Sequence, residues 1–362
     1  MMQDTEWSFL FESSPSRVVF GLGSLEKAPE EIDRLGATRV LILTTPGRKK
    51  LGDEMAARLG AKVVGVLDQA VMHVPAEIAE AARRETAVVA ADLLVAIGGG
   101  SAVGLAKAIA AVSGLPILAV PTTYSGSEMT STWGLTENGI KKTMRDARVQ
   151  PKTVLYDPLL TLSLPSQLSA TSGMNAMAHC VEALYAHDSN PISSLVAQEG
   201  IRSLAQALPA VVGDPSDREA RSLALYGAWL GGISLGTTTT ALHHKLCHVL
   251  GGAFDLPHAD THTVLLPHVT AYNSAGAPRV MTRIAQALSP NGASESAAQL
   301  LYDLEASMKT PRSLKSLGMK RDGIDRAVAR VMEKPFYNPS PLSREGLRAL
   351  LEDAFEGRPP RI

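Results

Sequence analysis

The residues best suited to chemistry lie in His243-His244-Lys245-Leu246-Cys247-His248, with Pro257-His258 a short way on. His244 and His248 are spaced i, i+4, so on a helix both imidazoles project from one face, a turn apart. His258 comes just past Pro257, where the chain has turned. Imidazoles gathered in this way serve a divalent metal or proton transfer near neutral pH. Lys245, beside His244, could offer a cation to a carboxylate. A metal would normally want a carboxylate of its own, and the place to look is Gly173-Met174-Asn175-Ala176-Met177-Ala178-His179. There the chain carries an amide, Asn175.

A second constellation suits phosphate. Leu93–Ile97 reads as a buried strand, followed by Gly98-Gly99-Gly100-Ser101 and a helix over Ala102–Val112. Glycines let the backbone approach an anion, and a helix start supplies free N–H groups and a positive dipole end. A glycine-rich turn without ligand has the same look, but three consecutive glycines at a strand-to-helix junction favour a diphosphate. The spaced glycines of the common dinucleotide fingerprint are absent. Pro121-Thr122-Thr123-Tyr124-Ser125-Gly126-Ser127-Glu128 follows the next strand. By itself it is a polar loop, yet two such loops at neighbouring strand ends reinforce each other, because open α/β sheets bind ligands there. After the strand ending at Thr44, no acid stands to select against a 2′-phosphate, whereas Arg48, Lys49 and Lys50 are near. Both NADH and NADPH are therefore expected to serve, although three solvated charges opening a helix would look the same.

Two halves with different periods must position these groups. Short β-branched runs at Arg39–Thr44, Lys62–Leu67, Leu93–Ile97, Ile117–Val120 and Thr153–Tyr156 alternate with amphipathic stretches such as Leu51–Leu59 and Pro75–Ala87. This alternation predicts a parallel sheet with helices on both faces. Asn138-Gly139 predicts a hairpin turn interrupting the pattern. Beyond Asp157-Pro158 the strand signal stops. Ala-, Leu- and Met-rich segments of helical period run on, broken at Gly213-Asp214-Pro215 and Ser289-Pro290-Asn291-Gly292. The reading is an α/β dinucleotide-binding domain over 1–160 and an all-helical catalytic domain over 161–362, with ligands in the cleft between them.

The length of 362 residues suits two domains, and a composition 45% hydrophobic and 20% charged is that of a folded globular chain. A net charge of -1 without a basic run argues against nucleic acid. No apolar stretch is long enough to span a bilayer, and Met1–Glu6 lacks the pattern of a signal peptide. Cys180 and Cys247 then read as free thiols in a reducing cytoplasm.

Gly98-Gly99-Gly100-Ser101, Gly104-Leu105-Ala106-Lys107, Pro121-Thr122-Thr123, Gly126-Ser127-Glu128, Met174–Ala183 and His243–Gly252 together resemble the iron-containing (group III) alcohol dehydrogenase family, and within it the maleylacetate reductase branch. The resemblance covers nearly the whole chain. It implies a dehydroquinate synthase-like fold and a nicotinamide cofactor held by Thr44, Gly98, Gly99, Gly100, Ser101, Thr122, Thr123 and Ser127. The family's four metal ligands, an Asp and three His, fall on Asn175, His179, His244 and His258, and the acid common at Gly104 is missing. Both departures suit the branch that works without a required metal. Three histidines holding zinc with a water is the dissenting alternative. The implied reaction is reduction of the double bond of a dicarboxylate, 2-maleylacetate, to 3-oxoadipate in aromatic-compound catabolism. His248 is expected as proton donor, with His244, Lys245 and His258 positioning the dianion and Asn175, His179 and Tyr124 facing it. His262 and His268 are read as core histidines. A homodimer is expected by analogy. The alternatives are a metal-dependent alcohol or polyol dehydrogenase and a dehydroquinate synthase-like lyase.

Overall fold

Alternating aliphatic residues with burial on both sides make the central sheet. In the computed structural model, residues 10, 16–72, 74–137, 140–289, 292 and 294–361 are described. The strands in chain order are β1 (Arg17–Phe20), β2 (Val40–Thr44), β3 (Val63–Leu67), β4 (Leu93–Gly98), β5 (Ile117–Pro121), β6 (Thr132–Glu137), β7 (Ile140–Arg145) and β8 (Thr153–Tyr156). Six of them form one sheet in the order β1-β8-β5-β4-β2-β3, and every pairing in it is parallel. Helices α1 (Ala28–Arg34), α2 (Lys49–Leu59), α3 (Ala76–Val88) and α4 (Gly100–Ser113) are the crossovers. Val40, Ile42, Leu93, Val95 and Ile97 pack with Ile32 of α1 and Met55 of α2. Their neighbours Leu41, Leu43, Leu94 and Ala96 pack on the other face with Ala79 of α3 and Val103 of α4. A strand buried on both faces reads as an unbroken apolar run, which is why β4 was legible.

The remaining helices are α5 (Ser166–Tyr185), α6 (Pro191–Gly213), α7 (Arg218–Thr237), α8 (Leu242–Phe254), α9 (His258–Tyr272), α10 (Pro278–Leu288), α11 (Ala297–Ser307), α12 (Gly323–Val331) and α13 (Arg344–Glu356). No strand follows β8 among the described residues. The apolar cluster on the α4 face continues into Met174 and Met177 of α5, Leu204 of α6 and Leu225 of α7, so sheet and helices share a core. A second core joins α8, α9, α12 and α13 through Leu246, Leu265, Val328 and Leu351.

Two expectations need amendment. Strand β1 was not among the anticipated runs. It sits at the sheet edge beside β8 with only its middle residues partly covered, so it carries no buried alternation to read. The hairpin is present as the antiparallel pair β6–β7, while its turn, Asn138-Gly139, lies outside the described residues. The same holds for Pro290 and Asn291 of the break after α10. The break at Gly213-Asp214-Pro215 separates α6 from α7.

Candidate active site

Strand β4 ends at Gly98, whose φ of +151° favours glycine. The N–H of Thr122 donates to its carbonyl at 3.0 Å, tying the two loops together. A Cβ at Gly99 would lie 2.7 Å from Thr123 Oγ1, and one at Gly98 would lie 3.0 Å from the Ala102 Cβ. At Gly100, which is exposed, the nearest atom is 3.8 Å away on Ser125. Among the described residues no side chain caps the start of α4; the Ala102 N–H turns back to the Gly99 carbonyl at 3.1 Å, and the N–H groups of Gly100 and Ser101 remain for an anion. Ser101, Thr123 and Ser127 are half-buried beside Thr122, which is buried. Thr44 pairs with Ile97 at the strand ends, and its buried Oγ1 has no partner among the described residues.

Below this cradle, the fully buried Lys107 of α4 donates to the carbonyls of Ser127 at 2.6 Å, Thr130 at 2.7 Å and Thr132 at 2.8 Å. Burial lowers its pKa to about 7, with Glu128 opposing that shift. Glu128 accepts from Tyr156 Oη at 2.8 Å and Ser125 Oγ at 3.0 Å, and burial raises its pKa. The loop after β5 is thus pinned to the helix that opens at the glycines. Of the basic residues after β2, Arg48 donates to Ser163 Oγ at 2.6 Å. Lys49 is 3.5 Å from Asp68, an acid just past β3, the strand that lies beside β2.

Helices α5, α8 and α9 bring the imidazoles together. On α5, Asn175, His179 and Glu182 share a face by their spacing. His179 stacks on His244 of α8, with ring centroids 5.1 Å apart. His244 donates from Nδ1 to Glu182 Oε2 at 2.5 Å, and the backbone N–H of His243 donates to Glu182 Oε1 at 2.8 Å. His262 of α9 lies centrally, its ring centroid 4.9 Å from His244, 4.8 Å from His243 and 4.3 Å from His258. A hydrogen bond of 3.0 Å joins His243 Nε2 to His262 Nδ1. Burial first, then the neighbouring imidazoles, hold His179, His243 and His262 well below the usual histidine range. Asn175 Oδ1, His179 Nδ1, His244 Nε2 and His262 Nε2 are buried without partners among the described residues. Unpaired buried polar atoms are costly, and a group of them marks a place for a ligand.

The anticipated residues divide. His179, His244 and His258 belong to this cluster, with Asn175 a turn from His179 on α5. His248 is exposed, a turn along α8 from His244, with ring centroids 6.1 Å apart. Lys245 points elsewhere: its Nζ lies 5.8 Å from the ring centre of Phe336, because adjacent helix positions diverge by about 100°. Tyr124 is fully buried, and its hydroxyl receives Arg221 Nη1 at 3.4 Å, so its polar end is engaged within the core. His262, read as a packing histidine, is at the centre of the group. Glu182 and His243 complete the group, and sequence alone gives neither a role. The acid on the Asn175–His179 face of α5 was the available signal for Glu182. Cys180 and Cys247 are free and buried, as anticipated, and burial pushes the Cys180 thiol up to about 12.

The cradle and the cluster meet. Gly126, at φ +77°, packs so closely that a Cβ there would lie 3.2 Å from His179 Nδ1 and 3.1 Å from the Gly232 Cα. The loop that continues from Thr123 and Ser125, beside the glycines, therefore touches the first histidine.

Residues 15–158 match the family described as "Iron-containing alcohol dehydrogenase", and residues 169–355 match "Fe-containing alcohol dehydrogenase family, C-terminal". The chain belongs to the iron-containing alcohol dehydrogenase family. Within it, the chain is 54% identical to the maleylacetate reductase of Burkholderia cepacia, over 98% of this chain and 99% of that one. The crystal structure of maleylacetate reductase from Agrobacterium tumefaciens superposes with a TM-score of 0.94 at 45% identity, covering 98% of this chain and 99% of that one. That of a putative alcohol dehydrogenase from Ralstonia eutropha JMP134 gives 0.96 at 50%, covering 98% and 100%.

The family's name implies iron, and the donor set here fits it poorly. Asn175 offers a neutral oxygen where an anion would attract the cation. Among the described residues, His243, Cys247 and His262 bring ligand atoms within 4.8 Å of one another. Their ring nitrogens are already bonded to each other, and burial holds the Cys247 thiol protonated. A small residue at position 104 has a packing reason, since a Cβ there would lie 2.9 Å from Val74 Cγ2.

Proposed function

We propose that this chain reduces the carbon–carbon double bond of 2-maleylacetate to give 3-oxoadipate, using NADH or NADPH and no required metal. The observation that carries the reading is the set of partnerless buried atoms on Asn175, His179, His244 and His262, which adjoins the glycine loop through Gly126. Its neutral amide stands where an acid would repel a dianion. The relatives named maleylacetate reductase support the substrate.

The N–H groups of Gly100 and Ser101 at the start of α4, with the side chains of Ser101, Thr122, Thr123, Ser127 and Thr44, would hold the cofactor's phosphates and ribose. When bound, the nicotinamide supplies the hydride. Addition at the carbon far from the ketone sends the electron pair of the double bond to the ketone oxygen, giving an enolate that needs stabilising and then a proton. Imidazole N–H groups stabilise that charge in place of a Lewis acid. Exposed His248, beside His244, passes a proton from solvent to the enolate carbon next to the ketone, and the ketone re-forms. Glu182 orients His244 through Nδ1. The protein acts as a cytoplasmic homodimer in aromatic-compound breakdown, on a small dicarboxylate, without nucleic acid or membrane as partner. The test is oxidation of NADH and NADPH by maleylacetate, with and without chelator. Turnover that survives chelation is expected; no turnover, or turnover abolished by chelator, overturns the reading.

A further inference from the structure

We infer that Lys107 is a positioning residue for the reduction: buried under the loop that joins the cradle to the histidines, it fixes the spacing between the cofactor and the groups that act on the substrate. This rests on the proposed reduction. No step of that reduction uses Lys107, yet it stands fully buried on α4, two turns past Gly100.

An amino group taken out of water is costly unless its protons are received. Lys107 Nζ lies 2.6 Å from the Ser127 carbonyl, 2.7 Å from that of Thr130, 2.8 Å from that of Thr132 and 3.0 Å from Thr130 Oγ1. The three carbonyls can take all the protons of an ammonium. All these acceptors belong to one short segment and none is a carboxylate, so Ser127–Thr132 is folded around the lysine.

The opposite side of the same loop meets the helices. A Cβ at Gly232 of α7 would lie 3.1 Å from the Gly126 Cα, and one at Gly236 would lie 2.7 Å from the Met129 carbonyl oxygen. With the approach of Gly126 to His179, the loop is clamped between α4 below and α5 and α7 above. Ser127, assigned to the cofactor, and Gly126, set against His179, are neighbours, and the Ser127 carbonyl takes the shortest of the lysine's bonds. Tyr156 donates to Glu128, and Gln150 Nε2 donates to the Met129 carbonyl at 3.0 Å. These ties hold the middle of the loop without Lys107, whereas the Ser127 end would be released. Hydride transfer is sensitive to such a release, since a displacement of about 1 Å costs on the order of 10²-fold in rate.

Lys107→Met keeps an unbranched stem and removes the amino group. Single-turnover oxidation of NADH by maleylacetate, both saturating, is followed by stopped flow at a temperature where parent and variant are folded. The transfer rate is expected to fall about 10²-fold, with NADH affinity reduced by less than about tenfold. A lysine that only stabilises the fold would lower the melting temperature and leave that rate alone. A rate within about twofold of the parent's, or a loss confined to NADH affinity, overturns the positioning role and leaves the reduction standing. A parent that does not oxidise NADH with maleylacetate overturns the reduction, and this role with it. Should Lys107→Met fail to fold, the isosteric Thr130→Val decides, since it removes the hydroxyl that lies 3.0 Å from Nζ and donates to the Ser127 carbonyl at 3.2 Å. Transfer slowed by about fivefold, the worth of one hydrogen bond, is then expected, and an unchanged rate overturns the role.

Discussion

At the scale of single residues, one amide sets the chemistry that a family fold can do. Asn175 lies on α5 a turn before His179, its Oδ1 buried and without a partner among the described residues. Restoring a carboxylate there would add an anion to a site of neutral imidazoles. We expect Asn175→Asp to raise zinc affinity by at least about tenfold, roughly 1.4 kcal/mol, and to lower kcat/KM for the dianionic substrate. Titration calorimetry with zinc and steady-state rates would check both; an unchanged zinc affinity would remove Asn175 from the argument about metal. The sequence made Asn175, His179, His244 and His258 legible because each falls within a local motif. It hid His262, since a histidine in an apolar helix looks like packing until α9 is laid beside α8. Tyr124 is the opposite case. A polar loop suggested a ligand, but its hydroxyl is directed at buried Arg221, which lies far along the chain on α7.

The element that matters most is the junction of β4 with α4. Gly99 invites a bulky substitution as a test of the cradle, yet a valine there would collide with Thr123, whose Oγ1 and Cγ2 would be 2.7 and 3.1 Å from the new Cβ. Gly99→Val is therefore expected to lower the unfolding midpoint as well as cofactor affinity. Gly100→Ala is the cleaner probe, since its Cβ would make ordinary contact at 3.8 Å with Ser125. It should leave the melting temperature within a degree or two while weakening NADH binding, measured by nicotinamide fluorescence, about tenfold (roughly 1.4 kcal/mol). Unchanged NADH affinity would remove Gly100 from the cradle. The strand–glycine–helix succession was readable from sequence because period and composition change together there. Asp68 was not, because its approach to Lys49 depends on β3 lying next to β2. That ion pair ties up the acid, so comparable kcat/KM with NADH and NADPH is still expected; a preference of several orders of magnitude for NADH would mean that Asp68 reaches the ribose.

For the molecule as a whole, stability should depend on pH through histidines buried in neutral form. His268 of α9 is the case with a defined shift. Burial lowers its pKa from 6.5 to about 4, Asp353 of α13 opposes this and Arg312 adds to it. Between those values the unfolded chain binds a proton that the folded chain does not, so unfolding gains as the pH falls. The contribution is fully present above about pH 6.5 and is lost as the pH drops towards the folded value. Its size is on the order of 3 kcal/mol. His179, His243 and His262 are shifted in the same direction and act with the same sign. The two sets lie on different supports: His268 packs within the second core, where α9 meets α13, whereas the others line the site. Urea midpoints measured from pH 7.5 down to pH 4.5 should be level at first and then decline. His268→Gln should make that decline shallower without altering NADH binding at pH 7.5, because the side chain removed is outside the cluster. If the variant's midpoint declines as steeply as the parent's, His268 is not neutral in the folded protein, and the acid sensitivity belongs to the site histidines alone.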